Sequence, residues 1–413
     1  MHEPMTPGAG GILIASQAAP DLSTAYARVG RELAIQLSYY RPVHLIGTHG
    51  NVASEFTLRE NTQLVPVHPY PWAYFESAHI NKLAQRINAE LVIYVGDAWP
   101  FARKIHEAAQ ELPWILMCPV DHVPLVATEQ VLAQGVAAWA SPTLWGTEAV
   151  TAAGGNAVYV PHGVSKALLD AGDQLGTRAA ACERLGWDPA IKRYLSVGGN
   201  VGDRKNLAGL LRAWGEAALD NAELVLWCYP TRDDSNPDGL DLLGAARELG
   251  IANVRFPEPY QVAVGYPDAD LAAIYVACDA LMQVSKTEGF GIPIIEAQAL
   301  GTPALVTRYE PFLEVAGVNA AGPLTMPLGT WELMQLLGTA WMPCPSHDGI
   351  VAALRRFDEL GIDEDDLRRR MDHARGYTWE FAAAALNREI EQIWAKTPEK
   401  GGEPLLATAL SAP

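Results

Sequence analysis

Along most of the chain, short apolar runs alternate with stretches whose apolar residues recur every three or four positions. Gly11–Ala15 predicts a buried strand and Arg28–Leu37 an amphipathic helix. Further strands are expected at Pro42–Ile46, Leu91–Val95 and Trp114–Met117, and near Ala157–Val160. Helices are expected over Ala78–Asn88, Ala102–Gln110 and Leu144–Ala153. Strands that are continuously apolar rather than alternating, and are separated by periodic helices, mark βαβ units around a parallel sheet. From Lys192 the rhythm restarts, with strands expected at Tyr194–Val197, Leu224–Cys228, Val254–Phe256, Ala280–Val284 and Pro303–Val306. The pattern therefore predicts two successive doubly wound α/β domains, residues 10–170 and 190–380, joined within Pro161–Pro189. Sheets of this kind take ligands at the carboxyl ends of their strands, so the chemistry is sought in strand-end loops and in a cleft between the domains.

Composition agrees. The 413 residues exceed what a single core supports, and 49% apolar with 19% charged residues excludes a disordered or fibrous chain. The net charge of −18 disfavours non-specific attraction to nucleic acid or to anionic membrane. Five scattered cysteines, with no CxxC pair, fit reduced thiols and a cytoplasmic location. No stretch reaches the roughly 18 apolar residues of a membrane span. Met1–Gly10 lacks the basic region of a signal peptide, and the tail 398–413 is expected to fray.

Two segments carry candidate chemistry. After the strand at Ala280–Val284 comes Ser285-Lys-Thr-Glu-Gly-Phe-Gly-Ile-Pro-Ile-Ile-Glu-Ala-Gln-Ala-Leu-Gly-Thr-Pro303, read as strand, glycine loop and helix starting near Ile292–Pro293. Gly289 and Gly291 let the backbone approach a ligand and aim amides at it, and the helix N-terminus behind them completes an anion site suited to a diphosphate. Glu288 and Glu296, with seven residues between them, can reach one bound molecule at two points. The second segment, Ser196–Trp214, is a strand, a glycine-rich loop and a helix, with Arg204 and Lys205 at the helix start. Cations there oppose the helix dipole, so either an anionic ligand accounts for them or they are solvated surface charges.

The first segment resembles the Glu-x7-Glu signature of retaining glycosyltransferases of family 4, EGFGxPxxEAxAxGxP. The resemblance implies a GT-B fold: two Rossmann-like domains facing a cleft, with a final helix, here Phe381–Ala395 after Tyr377-Thr-Trp-Glu380, packing back on the N-terminal domain. It implies a nucleoside-diphosphate-sugar donor and an unidentified acceptor hydroxyl. Glu288 would contact the sugar and Glu296 the ribose, while Gly289, Phe290, Gly291 and Ile292 would form the donor cradle. Arg204, Lys205 and Asn206 are similar to the end of the family's phosphate clamp. Gly199 stands where the family has arginine, with Asn200 or Arg204 as candidate compensation. Asp97, Asp121 and His122 lie in loops after N-domain strands and are candidate sugar or acceptor contacts; His162 is either such a contact or a turn residue. Ala25 and Ala27 replace glycines common before the family's first helix, and Glu314 matches a structural cap. No cofactor and no metal are implied. Asp268-Ala-Asp270 is read as a helix N-cap at Asp270 rather than a metal motif, and Arg368–Arg370 as part of a solvated helix. Two alternatives stay open: an epimerase or hydrolase acting on the nucleotide-sugar, and a non-catalytic sugar-nucleotide-binding protein.

Overall fold

A computed structural model describes residues 11–22, 24–50, 54–70, 75–234, 236–320, 322–333 and 340–396. The tail 398–413 and the Met1–Gly10 segment lie outside the described residues. The N-terminal sheet contains β1 (Gly11–Ser16), β2 (Val43–Gly47), β3 (Phe56–Glu60), β4 (Gln63–Val67), β5 (Ala89–Val95), β6 (Trp114–Met117), β7 (Ala138–Ser141) and β8 (Ala157–Tyr159). Their order is β3-β4-β2-β1-β5-β6-β7-β8, parallel except where β3 pairs with β4. Alternate residues of β1 enter opposite cores: Ile12 and Ile14 on one face, Leu13 and Ala15 on the other. A sheet covered on both faces has to be apolar at every position, which explains its continuous apolar runs.

The second sheet contains β9 (Lys192–Val197), β10 (Ala222–Trp227), β11 (Val254–Arg255), β12 (Ala280–Gln283), β13 (Ala304–Thr307) and β14 (Thr325–Met326). Its order is β11-β10-β9-β12-β13-β14, all parallel. Chain order reverses between β1 and β5 in the first sheet and between β9 and β12 in the second. Those are the positions where such folds take ligands. The last helix, Trp379–Lys396, returns to the first domain. Leu386, Ile390 and Ile393 enter the same core as Ile12, Leu33 and Leu37 of the N-terminal domain. Arg41 fastens it further, donating from Nε to Asn387 at 2.8 Å and lying 4.4 Å over the Trp394 ring. The GT-B architecture expected from the sequence is the one observed.

Several elements escaped the sequence pattern. The β3–β4 hairpin turns at Asn61, which takes a left-handed φ of 52°. β7 reads Ala-Trp-Ala-Ser and is wholly buried; its strand character comes from its neighbours rather than from propensity. An antiparallel pair, β15 (Leu328–Leu333) and β16 (Trp341–Pro345), follows the second sheet.

Candidate active site

The loop after β12 is built around two glycines. Gly291 has φ +93° at the N-cap of the helix Ile292–Ala299, a conformation L residues rarely adopt, and Pro293 pre-sets the first turn. At Gly289 a Cβ would lie 2.0 Å from Cβ of Pro119, in the loop after β6, so the two domains meet here backbone to side chain. Phe290 is buried, edge-on to His162 at 5.0 Å and to Tyr377 at 5.5 Å, and anchors the loop from within. Ile292 packs against the cores of both domains.

Glu288 is buried at the centre of a polar network. Its carboxylate accepts from Arg204 at 2.9 Å, Gln283 at 3.0 Å, Ser285 at 2.8 Å, and from Lys205. Burial alone would raise its pKa, but Lys205 and Arg204 outweigh it and hold the carboxyl down at about 2. Arg204 also donates to the Thr287 carbonyl at 2.9 Å. Lys205 extends beneath Gly198, where a Cβ would come within 3.2 Å of its Cε. Both cations of the expected clamp thus converge on Glu288. Gly199 faces open space, with only a Val201 methyl at 4.0 Å from a hypothetical Cβ. Asn200 does not compensate for the missing arginine: its amide donates to the Tyr229 and Leu240 carbonyls, pinning a neighbouring loop.

Glu296 is also buried, accepting from the Tyr275 hydroxyl at 2.7 Å and from Arg28, which reaches across from the first helix of the N-terminal domain. On that side of the cleft, Tyr26 donates to Asp97, and Thr287 donates across the cleft to the Asp121 carbonyl. Burial, together with the nearby Asp121 charge, raises the Asp97 carboxyl above its usual range, against the Tyr26 hydrogen bond. Arg204, through the Thr287 carbonyl, and the Thr287 hydroxyl thus link Glu288 to the Asp121 carbonyl, while Tyr26 and Asp97 form a separate pair. Arg28, Tyr26 and Tyr275 were not singled out from sequence; Tyr26 and Arg28 sit inside the segment Ser23–Leu33 noted only for its missing glycines.

Other candidates land elsewhere. His122 is buried between carboxylates, with Nδ1 at 2.8 Å from Asp121 and Nε2 at 2.9 Å from Glu129, so it orients Asp121 rather than facing the cleft. Burial pulls its pKa down, but the two carboxylates overcome this and raise it to about 9. A raised folded pKa stabilises fully below the unfolded value near 6.5, and the gain disappears as pH rises through 9. His122→Gln should accordingly cost on the order of 2 kcal/mol in urea unfolding at pH 6 and much less at pH 9.5; a cost independent of pH would refute the charged bridge.

His162 is buried against Phe290 and Trp379, and burial lowers its pKa to about 3, so it is a neutral packing residue. Asp270 is not the N-cap expected. The helix starts at Asp268 behind Pro267, and Asp270 sits in its first turn, where Arg184 Nε donates to it at 2.7 Å. The Arg368–Arg370 helix is only partly solvated, since Arg370 is buried against Asp366. Glu314 is a cap, but of a helix in the other domain: it accepts from the amides of Leu144 and Trp145 at 2.7 and 3.1 Å. The five cysteines are free and buried. No helix among the described residues is long and apolar enough to cross a membrane.

Residues 191–332, which include the two glycine loops and both glutamates, match the family model for glycosyl transferases group 1. Over 232 residues the chain is 28% identical to the D-inositol 3-phosphate glycosyltransferase of Segniliparus rotundus, covering 55% of this chain and 45% of that protein. The chain thus spans about half the length of the curated relatives it matches. Among solved structures, sucrose-phosphate synthase from Thermosynechococcus elongatus superposes with a TM-score of 0.71 at 15% identity, covering 94% of this chain and all (100%) of that one. The Anabaena protein HepE in complex with UDP and glucose gives a TM-score of 0.60 at 13% identity, covering 94% of this chain and 100% of that one. The fold is GT-B, and these likenesses bear out the resemblance to family 4. The match to the group 1 model lies within the second of the two domains.

Proposed function

We propose that this chain transfers a hexose-like sugar from a nucleoside-diphosphate sugar to an acceptor hydroxyl, with retention at the anomeric carbon and without metal. The observation that carries this reading is the convergence of Arg204 and Lys205 on Glu288, beside amides at the start of the helix Ile292–Ala299. Without ligand, Glu288 holds both cations; a diphosphate entering the loop supplies the second anion they can serve. As the glycosidic bond breaks, charge grows on the departing phosphate, and preorganised cations and amides stabilise it. The acceptor oxygen bonds to the anomeric carbon as the bond to the phosphate breaks, and the acceptor proton passes to the phosphate oxygen on the same face.

Glu296 and Tyr275 suit the ribose end of the donor, with Arg28 giving way as the ribose hydroxyls arrive. The HepE complex with UDP and glucose supports a nucleotide donor in such a cleft. Thermal shift against UDP-, GDP-, ADP- and TDP-sugars tests the reading, since a bound donor raises the melting temperature by mass action. A shift with none of them would overturn it. Donor consumption without any acceptor would instead point to an epimerase or hydrolase, and binding without turnover on any acceptor to a non-catalytic binder.

The absence of a metal role has its own test. Asp270 is committed to Arg184, and the diphosphate has its cations in side chains. Activity should persist in EDTA, and Asp270→Asn should leave turnover within about twofold, because an exposed ion pair contributes only about 0–1 kcal/mol to stability. Activity abolished by EDTA and restored by magnesium or manganese would move the leaving-group charge to a bound cation.

A further inference from the structure

Lys286 belongs to the donor loop, just ahead of Glu288. It is buried, and its Nζ donates to two carboxylates, Asp203 and Glu332. These partners sit on different parts of the fold. Asp203 lies in the glycine-rich loop after β9, whereas Glu332 lies on β15, outside the six-stranded sheet.

Asp203 controls where the two clamp cations stand. Its carbonyl accepts from the Asn206 amide at 3.0 Å, closing a turn whose middle residues are Arg204 and Lys205. The chain leading into that turn contains Gly198, Gly199 and Gly202, and glycine loses more conformational freedom on ordering than any other residue. A tether on Asp203 from outside the loop therefore fixes both cations. Lys286 holds the turn at a second point, since its own amide donates to the Arg204 carbonyl at 2.9 Å.

Glu332 supplies the support on the other side. β15 pairs with β16, and Ala340 and Met342 at the start of the return strand pack against Val126, in the stretch after β6 of the N-terminal domain. The hairpin thus leans on the first domain while Glu332 holds a lysine of the second. The match to the glycosyl transferases group 1 model ends at residue 332, so β16 lies beyond it.

Resting on the glycosyltransferase reading above, we infer that Lys286 is a positioning residue, which sets Arg204 and Lys205 toward the outer phosphate of the nucleoside diphosphate with the β15–β16 hairpin as its support. Removing Lys286 leaves no buried unpaired charge, because the side chains of Asp203 and Glu332 are 58% and 49% exposed and can turn to water. The variant should therefore fold with a loosened clamp.

Calorimetric titration of the full chain tests this with UDP and UMP, or with the corresponding pair for the nucleotide whose sugar gives the largest thermal shift. Lys286→Met should weaken the diphosphate about tenfold, the lower end for loss of one charge-assisted contact, and leave the monophosphate within about twofold. Lys286→Arg, which keeps the charge, should bring diphosphate affinity back to within about threefold of the wild type. On a Lys205→Ala background, Lys286→Met should cost less than about threefold, because residues acting through one another do not add. Asp203→Asn and Glu332→Gln each remove one arm at an exposed position; each should weaken the diphosphate about threefold, and they carry the test if Lys286→Met does not fold. Unchanged diphosphate affinity in these variants, equal losses for both nucleotides, or an undiminished loss on the Lys205→Ala background overturns the inference. Failure of the wild-type chain to bind any of these nucleotides or their sugars would instead strike the glycosyltransferase reading itself, which keeps the two failures apart.

Discussion

Exchange of Lys205 for alanine is expected to cut turnover by about 10²- to 10³-fold, the range observed when one preorganised donor to a developing charge is removed. The expectation follows from the position of Nζ, which is packed under Gly198 and directed at Glu288 beside the loop amides. A cation held there gains most when the leaving phosphate takes on charge, so kcat should fall far more than donor affinity. Glu288 keeps Arg204, Gln283 and Ser285 in the variant, so the loop retains its shape. Steady-state kinetics with an identified donor decide it. If KM rises and kcat stays level, Lys205 is a uniform binding contact and the mechanism above is wrong.

The second large effect concerns Glu296. Its replacement by alanine should weaken donor binding roughly ten- to a hundredfold, because charge-assisted hydrogen bonds contribute about 1.5–3 kcal/mol. The structure adds a complication, since Arg28 joins the two domains through this carboxylate. Arg28→Ala separates the possibilities. If Glu296 serves the ribose, Arg28→Ala should leave donor affinity within a few-fold, whereas a role confined to bridging the domains would make the two variants equally weak. Calorimetric titration of both variants, each checked for folding, gives the answer.

What could be read in advance follows from how local each determinant is. The loop Glu288–Gly291 was legible because its glycines, proline and glutamates lie within one strand–loop–helix unit, and the turn chemistry is written in adjacent residues. The clamp at Arg204 and Lys205 was legible for the same reason. That Lys205 and Arg204 converge on Glu288 was not, because it joins residues 83 and 84 positions apart. Arg28 is farther still, 268 positions from Glu296, and a single arginine on an amphipathic helix carries no local mark of its partner. The surroundings of His122 and Asn200 were not legible in the sequence either. Both are polar residues at strand ends, where a ligand contact and a structural bond look alike until the neighbours that claim their nitrogens are known. The parallel strands declared themselves by uninterrupted apolar runs, whereas β7, rich in alanine, depends on packing that no short window contains.

The last helix has a consequence for how the molecule is made. Ribosomes release the chain from its amino end, and domains generally fold as units in that order. Here the core beneath β1 is completed by Leu386, Ile390 and Ile393, which are synthesised after the whole second domain. Until they emerge, Ile12, Leu33 and Leu37 lack part of their covering, and the nascent first domain presents a greasy furrow to solvent or to a chaperone. A stop codon shortly before Trp379 would therefore damage the domain farthest from it in sequence, leaving the second sheet's own core comparatively whole.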